Sequence, residues 1–157
     1  MSISKVLQEA NSISEKIAIF NQSDENPYNK IAKNIADKKF TLCDRYTDST
    51  LAYQGYGRGL NNSVLNSLNG FATENFEPDL TFILDISLSE LTKRIQKGNI
   101  DRMEKSGLQF LDKVRMGYRE IANKDKSRYI LLDCVNKSIK EVNNQIIEFI
   151  SKYYGIQ

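Results

Sequence analysis

Histidine is absent from this 157-residue sequence, and its absence excludes several kinds of site. No Ser-His-Asp or Cys-His arrangement can form, imidazole can hold no metal, and no imidazole base is available. Chemistry in this chain must therefore use carboxylates, Arg, Lys, backbone amides or a bound ion. The two cysteines, Cys43 and Cys134, form neither a CxxC pair nor a zinc pattern. We expect both to be reduced, buried thiols in a cytosolic protein.

Long apolar runs are also missing. The longest, such as Tyr129–Leu132, are far too short to span a bilayer, and residues 1–12 lack the apolar stretch of a secretory signal. With 40% hydrophobic and 27% charged residues, the composition predicts a globular core rather than disorder. A net charge of +2 gives little attraction to nucleic acid or a membrane surface. We therefore predict a cytoplasmic protein with neither kind of partner.

Few residues interrupt the chain. Pro27 and Pro78 are the two prolines, and no low-complexity linker or internal repeat divides the sequence. The length suits one domain of ordinary size. We predict a single domain over residues 1–157.

Three short apolar runs are typical of buried strands: Phe40–Cys43, Leu80–Leu84 and Tyr129–Leu132. Each is followed by an aspartate: Asp44, Asp85 and Asp133. Continuous apolar runs separated by helical stretches predict an α/β fold with a parallel sheet covered on both faces. Ligands of such folds bind at the carboxyl ends of the strands, where Asp44 and Arg45 are placed to meet one.

Helical stretches surround these runs, and three fit a capping box: Ser12 with Glu15, Ser87 with Glu90, and Ser138 with Glu141. We predict helices over residues 3–10, 13–21, 27–38, 48–54, 61–74, 88–96, 107–123 and 137–153. Together with the strands, they predict a three-layer α/β domain.

The segment 43–60 carries the densest chemistry. It has a strand-end Asp-Arg pair, polar side chains on a short helix and a Gly-x-Gly-x-Gly exit. Arg45 is suited to hold phosphate through two parallel hydrogen bonds. Thr50 and Gln54 are four apart and share a helix face, so their hydroxyl and amide suit the edge of a nucleobase. The alternative is a strand-end salt bridge followed by a capped helix. The glycines do not form GxGxxG, which excludes a Rossmann site.

A basic stretch follows the second strand. Residues 93–128 hold eleven basic and five acidic side chains, a net charge of +6. Its glycine-containing part, over about 93–107, is suited to close over a polyphosphate as a lid. The alternative is a solvated helix face.

The order of these segments resembles that of bacterial thymidylate kinases. The similarity extends over 40–59, 78–85, the stretch containing Asp101-Arg102-Met103-Glu104, and 110–122. Its most specific part is the motif Asp-Arg-Tyr-x-Asp-Ser-Thr-x-Ala-Tyr-Gln-Gly at 44–55. The resemblance implies a parallel sheet of the P-loop nucleoside monophosphate kinase type. It also implies ATP-dependent phosphoryl transfer to dTMP, giving dTDP in nucleotide biosynthesis, with Mg²⁺.

The resemblance also implies a role for each matching residue. Arg45 would bind the monophosphate of dTMP, Thr50 and Gln54 would contact thymine, and Tyr53 would lie against the deoxyribose. Asp44 would sit in the magnesium and phosphate network, although no metal ligand is certain.

The implied catalytic side chains besides Asp44 belong to the basic stretch. Arg102, with Arg94 and Lys97, would neutralise charge on the transferring phosphoryl group. The lid itself would include Gly98, Asp101 and Glu104.

The sequence departs from the family pattern in several places. No G-x-x-x-x-G-K-[ST] motif is present in these 157 residues. We expect a chain that matches about the last three-quarters of the family, lacks its first strand and P-loop, and has little or no turnover alone. The strands ending at Asp44 and Asp85 would then pair directly, gain another strand between them, or leave the chain unstable. The alternative function is a catalytically inactive relative that binds a nucleoside monophosphate or pairs with a kinase subunit.

The segment that would bind the acceptor dTMP also departs from the family pattern. On the predicted helix 13–21 and the residues that follow it, Ile19 and Ser23 fall where the family has a stacking Phe and a base-contacting Arg. Base specificity is therefore left open. The family resemblance further implies a homodimer, for which the helices 13–21 and 27–38 are the predicted surfaces.

Overall fold

The computed structural model describes residues 17–21, 27–37, 39–97 and 107–155. The described chain is an α/β protein. Its elements in order are β1 (Ile17–Asn21), α1 (Pro27–Ala36), β2 (Phe40–Asp44), α2 (Thr47–Thr50), a π-helix (Leu51–Gly57), α3 (Asn62–Thr73), β3 (Thr81–Asp85), α4 (Leu88–Lys97), α5 (Leu108–Lys124), β4 (Tyr129–Asp133) and α6 (Ile139–Tyr154). The chain divides into two compact units, Met1–Thr47 and Asp48–Gln157, which are described separately. The single domain stays a prediction.

The first unit contains a pair of parallel strands. β1 pairs with β2 in a register that runs from Ile17 opposite Phe40 to Asn21 opposite Asp44. The helix predicted over 13–21 is therefore wrong at residues 17–21. Ile17-Ala18-Ile19-Phe20 is a short apolar run with β-branched residues at alternate positions, which suits a strand. As a strand it also provides backbone partners for one edge of β2.

This correction changes the interpretation of Ile19. The residue lies on β1, so its assignment to a thymine-contacting helix is wrong. Ser23, residues 13–16 and the helix predicted over 3–10 lie outside the described residues. The other elements of this unit follow the prediction, because α1 begins at Pro27, a favoured first helical residue, and β2 ends at Asp44.

The second unit contains the other parallel pair. β3 pairs with β4 from Thr81 opposite Tyr129 to Asp85 opposite Asp133, so both predicted strands are confirmed. The two strand-end aspartates are direct neighbours. The described strands form two pairs. Within its own unit, β2 has a partner, β1, that the sequence did not predict as a strand.

Capping residues set the helix ends of the second unit. The Ser138–Glu141 capping box is complete, and the Glu90 backbone N–H donates to the Ser87 hydroxyl at 3.2 Å. Asn61 caps α3 by accepting from two backbone N–H groups of its first turn. The capping box predicted at Ser12 and Glu15 lies outside the described residues.

The helix predicted over 48–54 has two parts. An α-helical turn, Thr47–Thr50, continues directly into the π-helix Leu51–Gly57. A π-helix bonds i to i+5, is rare, and is frequent at functional sites. The acceptor-like motif thus lies on an unusual backbone that the residue pattern did not reveal.

The core of the second unit lies where α5 packs against the π-helix and the strands. Its buried members are Ala52, Ile83, Val114, Ile121, Ala122 and Tyr129.

Both cysteines are free thiols; Cys134 is buried and Cys43 is partly buried. Among the helices of the described ranges, none has the length and apolar character needed to cross a membrane.

Candidate functional site

The π-helix and α5 approach each other through glycines. A Cβ added at Gly57 would lie 2.7 Å from the ring of Phe110 and 2.8 Å from Val114. A Cβ added at Gly117 would lie 2.6 Å from the side chain of Tyr56. Each helix therefore needs a glycine where it meets the other. The close packing fixes the position of the π-helix on α5.

A polar contact joins α2 to α5, and aromatic contacts join the π-helix to α5. The hydroxyl oxygens of Ser49 and Tyr118 lie 2.9 Å apart, within hydrogen-bond distance. The ring of Tyr53 makes edge contacts with Phe110 and Tyr118, at centroid distances of 6.0 and 6.4 Å. The orientation of Tyr53 is thus set by two aromatic residues of α5.

The amide of Gln54 has a cationic neighbour. Nη1 of Arg58 donates a hydrogen bond of 3.0 Å to Oε1 of Gln54. The guanidinium of Arg58 also lies 6.0 Å from the ring centroid of Phe110, within cation–π range. Thr50 is half-buried and ends α2 one turn before Gln54. The three predicted base- and sugar-contacting residues therefore lie on one continuous helical segment.

A cluster of charges lies at the carboxyl end of β3. Asp85 is 8% exposed and accepts two hydrogen bonds from Arg115, at 2.7 and 2.9 Å, and one from Arg119 at 2.6 Å. Burial by itself would raise the pKa of Asp85. The hydrogen bonds and charges of the two arginines outweigh burial and hold that pKa below its usual value. The cluster fastens α5 to the end of β3.

A second buried network begins at Asp48. The Tyr129 hydroxyl donates to Asp48 at 2.8 Å, and Arg128 lies 3.5 Å from the other carboxylate oxygen. Arg128 also pairs with Glu77 at 3.0 Å and lies over the Tyr129 ring at 4.7 Å. Burial raises the pKa of Asp48, against the lowering effects of Tyr129 and Arg128. Burial and the nearby carboxylate raise the pKa of Tyr129. The network joins the motif, through Asp48, to the start of β4.

The strand-end pair Asp44 and Arg45 belongs to the first unit. Both side chains are exposed, and Asp44 is the last residue of β2. Arg45 has a φ of +68°, and its carbonyl accepts from the Cys43 thiol at 3.1 Å. A left-handed conformation at a residue with a Cβ costs on the order of 1–2 kcal/mol, and such strain concentrates at functional sites.

The predicted lid is not described. Gly98, Asp101, Arg102 and Glu104 lie outside the described residues. Arg94 and Lys97 lie in the last turns of α4, and their side chains are likewise outside the description. The catalytic and lid assignments therefore stay predictions.

Sequence reasoning missed three contacts that build this site. Arg115 and Arg119 are four apart on a predicted helix, and this spacing beside a strand-end Asp85 was an available signal. Arg58 is likewise four residues after Gln54. No pattern in the sequence pointed to the bond between Tyr118 and Ser49, because it joins residues 69 positions apart.

The described carboxylates do not form a cluster of metal ligands. Among the described residues, no group of three or more acidic or cysteine side chains is placed to hold a metal. Both oxygens of Asp85 are taken by arginines. Asp44 has the hard oxygen donors that Mg²⁺ prefers and lies at a strand end.

The fold defines a class of protein. A solved thymidylate kinase from Ehrlichia chaffeensis superposes with a TM-score of 0.64 at 22% identity, covering 95% of this chain and 87% of that one. With its parallel strands and alternating helices, the chain thus has the fold of the P-loop nucleoside monophosphate kinases, as predicted.

Sequence comparison identifies the family within that class. Residues 2–146 match the family model described as thymidylate kinase. The thymidylate kinase of Mesomycoplasma hyopneumoniae is 44% identical over 120 residues, covering 74% of this chain and 56% of that protein. That of Nostoc punctiforme is 43% identical over 127 residues, covering 80% and 59%. The chain belongs to the thymidylate kinase family, and it spans little more than half the length of these relatives.

Proposed function

We propose that this chain supplies the acceptor-nucleotide site for ATP-dependent phosphoryl transfer to dTMP, giving dTDP in nucleotide biosynthesis. The observation that carries the proposal is the way α5 holds the motif segment. The π-helix meets α5 through Gly57 and Gly117, and Ser49 bonds to Tyr118. Such packing fixes polar side chains before a ligand arrives, which is the condition for selective binding. The relatives named thymidylate kinase give the proposal its substrate.

Each residue of the proposed acceptor site has a distinct role. Thr50 and Gln54 contact the base edge through a hydroxyl and an amide. Tyr53, held by two aromatic neighbours, lies against the deoxyribose and disfavours a 2′-hydroxyl. Arg45 binds the monophosphate through its planar guanidinium.

The proposed catalytic residues act by charge and position. Phosphoryl transfer depends on aligned groups and cationic clamps rather than on covalent protein chemistry, so the lack of histidine is no obstacle. Arg102, Arg94 and Lys97 neutralise the transferring phosphoryl group, and Asp44 supports the phosphate network. Gly98, Asp101 and Glu104 belong to the lid that brings the basic side chains in. ATP is the proposed donor, and Mg²⁺ the proposed ion.

A second function is favoured by one specific observation. The 157 residues contain no G-x-x-x-x-G-K-[ST] sequence, whose backbone amides and Lys would hold the donor phosphates. The chain would then bind a nucleoside monophosphate without catalysing transfer, or pair with a kinase subunit.

We also propose that the protein is cytoplasmic and forms a homodimer. An exposed apolar stripe on one side of α3 supports the dimer; its members are Val64, Leu68 and Phe71. Their spacing of four and three residues places them on one face. An exposed row of large apolar side chains is typical of an interaction surface. Residues 17–21 of the helix predicted as a dimer surface form the strand β1. We therefore propose α3, in addition to α1, as a dimer surface.

A coupled kinase assay with dTMP and ATP at micromolar enzyme tests the transfer reaction. Turnover that requires both nucleotides supports the kinase proposal. Saturable dTMP binding without turnover supports the non-catalytic alternative. The absence of both binding and turnover would contradict both functions.

A further inference from the structure

We infer that Arg58 is a positioning residue that sets the amide orientation of Gln54 and thereby makes the site favour a base with a carbonyl group at its 4-position. The inference rests on the proposed function, and it adds a specificity determinant that lies outside the acceptor residues themselves.

The contact fixes which end of the Gln54 amide faces Arg58. A guanidinium carries five N–H donors and no acceptor. Only the carbonyl oxygen of Gln54 can therefore bond to Nη1 of Arg58, and the observed distance from that nitrogen to Oε1 is 3.0 Å. Turning the amide over would place NH₂ against N–H, a repulsive arrangement of two donors.

The backbone of the turn that carries Arg58 is held by hydrogen bonds. Its backbone N–H bonds to the Gly55 carbonyl, and the turn is closed by backbone bonds from Gly59 to Gly55 at 2.7 Å and from Leu60 to Gln54 at 3.0 Å. Its guanidinium lies 6.0 Å from the Phe110 ring centroid. Arg58 itself is exposed, and reversing the Gln54 amide would break its bond to Nη1 of Arg58.

The consequence is a donor at the site. With Oε1 occupied, Gln54 presents its Nε2–H groups to a ligand, and within the described residues Nε2 bonds to no protein group. A donor pairs with a carbonyl oxygen and opposes an amino group. Thymine and uracil carry a carbonyl at the 4-position, whereas cytosine carries an amino group there. Arg58 thus makes Gln54 discriminate dTMP from dCMP without touching either nucleotide.

The test compares calorimetric dissociation constants for dTMP, dUMP and dCMP in four proteins. Wild type should bind dTMP and dUMP more tightly than dCMP. Arg58→Met keeps an unbranched chain over Phe110 but removes the donors, so the amide can reverse. The preference for dTMP over dCMP should then fall by about tenfold, the value of one charge-assisted hydrogen bond.

Two matched variants separate orientation from general damage. Arg58→Lys keeps a donor and should retain most of the preference. Gln54→Glu offers only acceptors and should lower dTMP affinity relative to dCMP. If the role of Arg58 were purely structural, its replacement would weaken the binding of dTMP and dCMP alike. The ratio of their dissociation constants would then stay unchanged.

The outcomes distinguish the two levels of the argument. If wild type binds dTMP but Arg58→Met keeps the wild-type ratio, the inference is overturned and the proposed function stands. The inference is overturned in the same way if wild type binds dCMP as tightly as dTMP. If wild type binds no pyrimidine nucleotide, both are overturned.

Discussion

The hydroxyl oxygens of Ser49 and Tyr118 lie 2.9 Å apart, although 69 positions separate the two residues in the chain. Ser49 belongs to the motif at 44–55 and Tyr118 to α5, so this bond directly joins the motif to its supporting helix. The same Tyr118 ring also contacts Tyr53. One residue of α5 therefore supports two residues of the motif.

Replacing Tyr118 with Phe should remove the bond and leave the ring contact with Tyr53. We expect the free energy of unfolding to fall by about 1 kcal/mol, the net value of a partly buried hydrogen bond. Urea denaturation measures the change. Tyr153→Phe is the matched control, because its hydroxyl is 3.5 Å from the Asp79 carbonyl, too far for a strong bond. Equal effects of both variants would contradict the structural role of the Ser49 bond.

Gly117→Ala adds only one methyl group, but it should clearly lower the free energy of unfolding. The added Cβ would lie 2.6 Å from the Tyr56 side chain, closer than side-chain carbons approach. Forcing α5 away from the π-helix should cost about 1–3 kcal/mol of unfolding free energy, as overpacking does. Met116→Ala serves as the control, because Met116 is 48% exposed on the same helix. A Gly117→Ala protein as stable as the control variant would show that the two helices need not be in close contact.

Asp85→Asn should destabilise the protein in a pH-dependent way. The arginines lower the pKa of Asp85 in the folded state, so its contribution to stability is fully present above the ordinary aspartate pKa. It is lost as the pH falls through the lowered value. At neutral pH the variant should lose about 1–3 kcal/mol of unfolding free energy, because two charged hydrogen-bond donors lose their shared ionised acceptor.

Urea denaturation of wild type and Asp85→Asn across the acid range checks this prediction. The difference between them should shrink as the pH falls below the ordinary aspartate pKa. Asp37→Asn removes an exposed ion pair with Lys39 and should have almost no effect. A difference that grows on acidification would contradict the assigned charge state of Asp85.

Phe71→Ser should change the oligomeric state if α3 forms the dimer surface. Phe71 is 88% exposed, the highest value among the large apolar side chains of the described chain. A polar side chain at this position should shift a dimer toward monomer, measured by light scattering coupled to size exclusion. Ile139→Ser, at an exposed apolar residue of α6, should leave the mass unchanged. A wild-type protein that is already monomeric at micromolar concentration would contradict the dimer.

Much of the fold could be predicted from residue patterns. The three apolar runs before Asp44, Asp85 and Asp133 are strands, because local hydrophobicity and length suffice to identify a buried strand. β1 was predicted as a helix instead. A short apolar run is compatible with either a helix or a strand. Here the run pairs with β2, and a local pattern cannot reveal such a non-local contact.

The site was less predictable than the fold. The motif itself pointed to Thr50, Tyr53 and Gln54, but the aromatic residues that hold Tyr53 come from α5, which follows it by more than fifty residues. Local patterns cannot show which residues meet across such a separation. The roles proposed for Arg45 and the lid remain predictions, because they depend on a ligand and on side chains beyond the described part of the chain.

Titration of the protein with dTMP by calorimetry tests whether this chain binds the nucleotide through Arg45. We predict saturable binding at one site per chain that is lost in Arg45→Ala, because the guanidinium holds the phosphate. Lys39→Ala removes another exposed cation of the same unit and should bind as wild type does. The account is contradicted if wild type shows no saturable binding of dTMP, or if Arg45→Ala binds it with unchanged affinity.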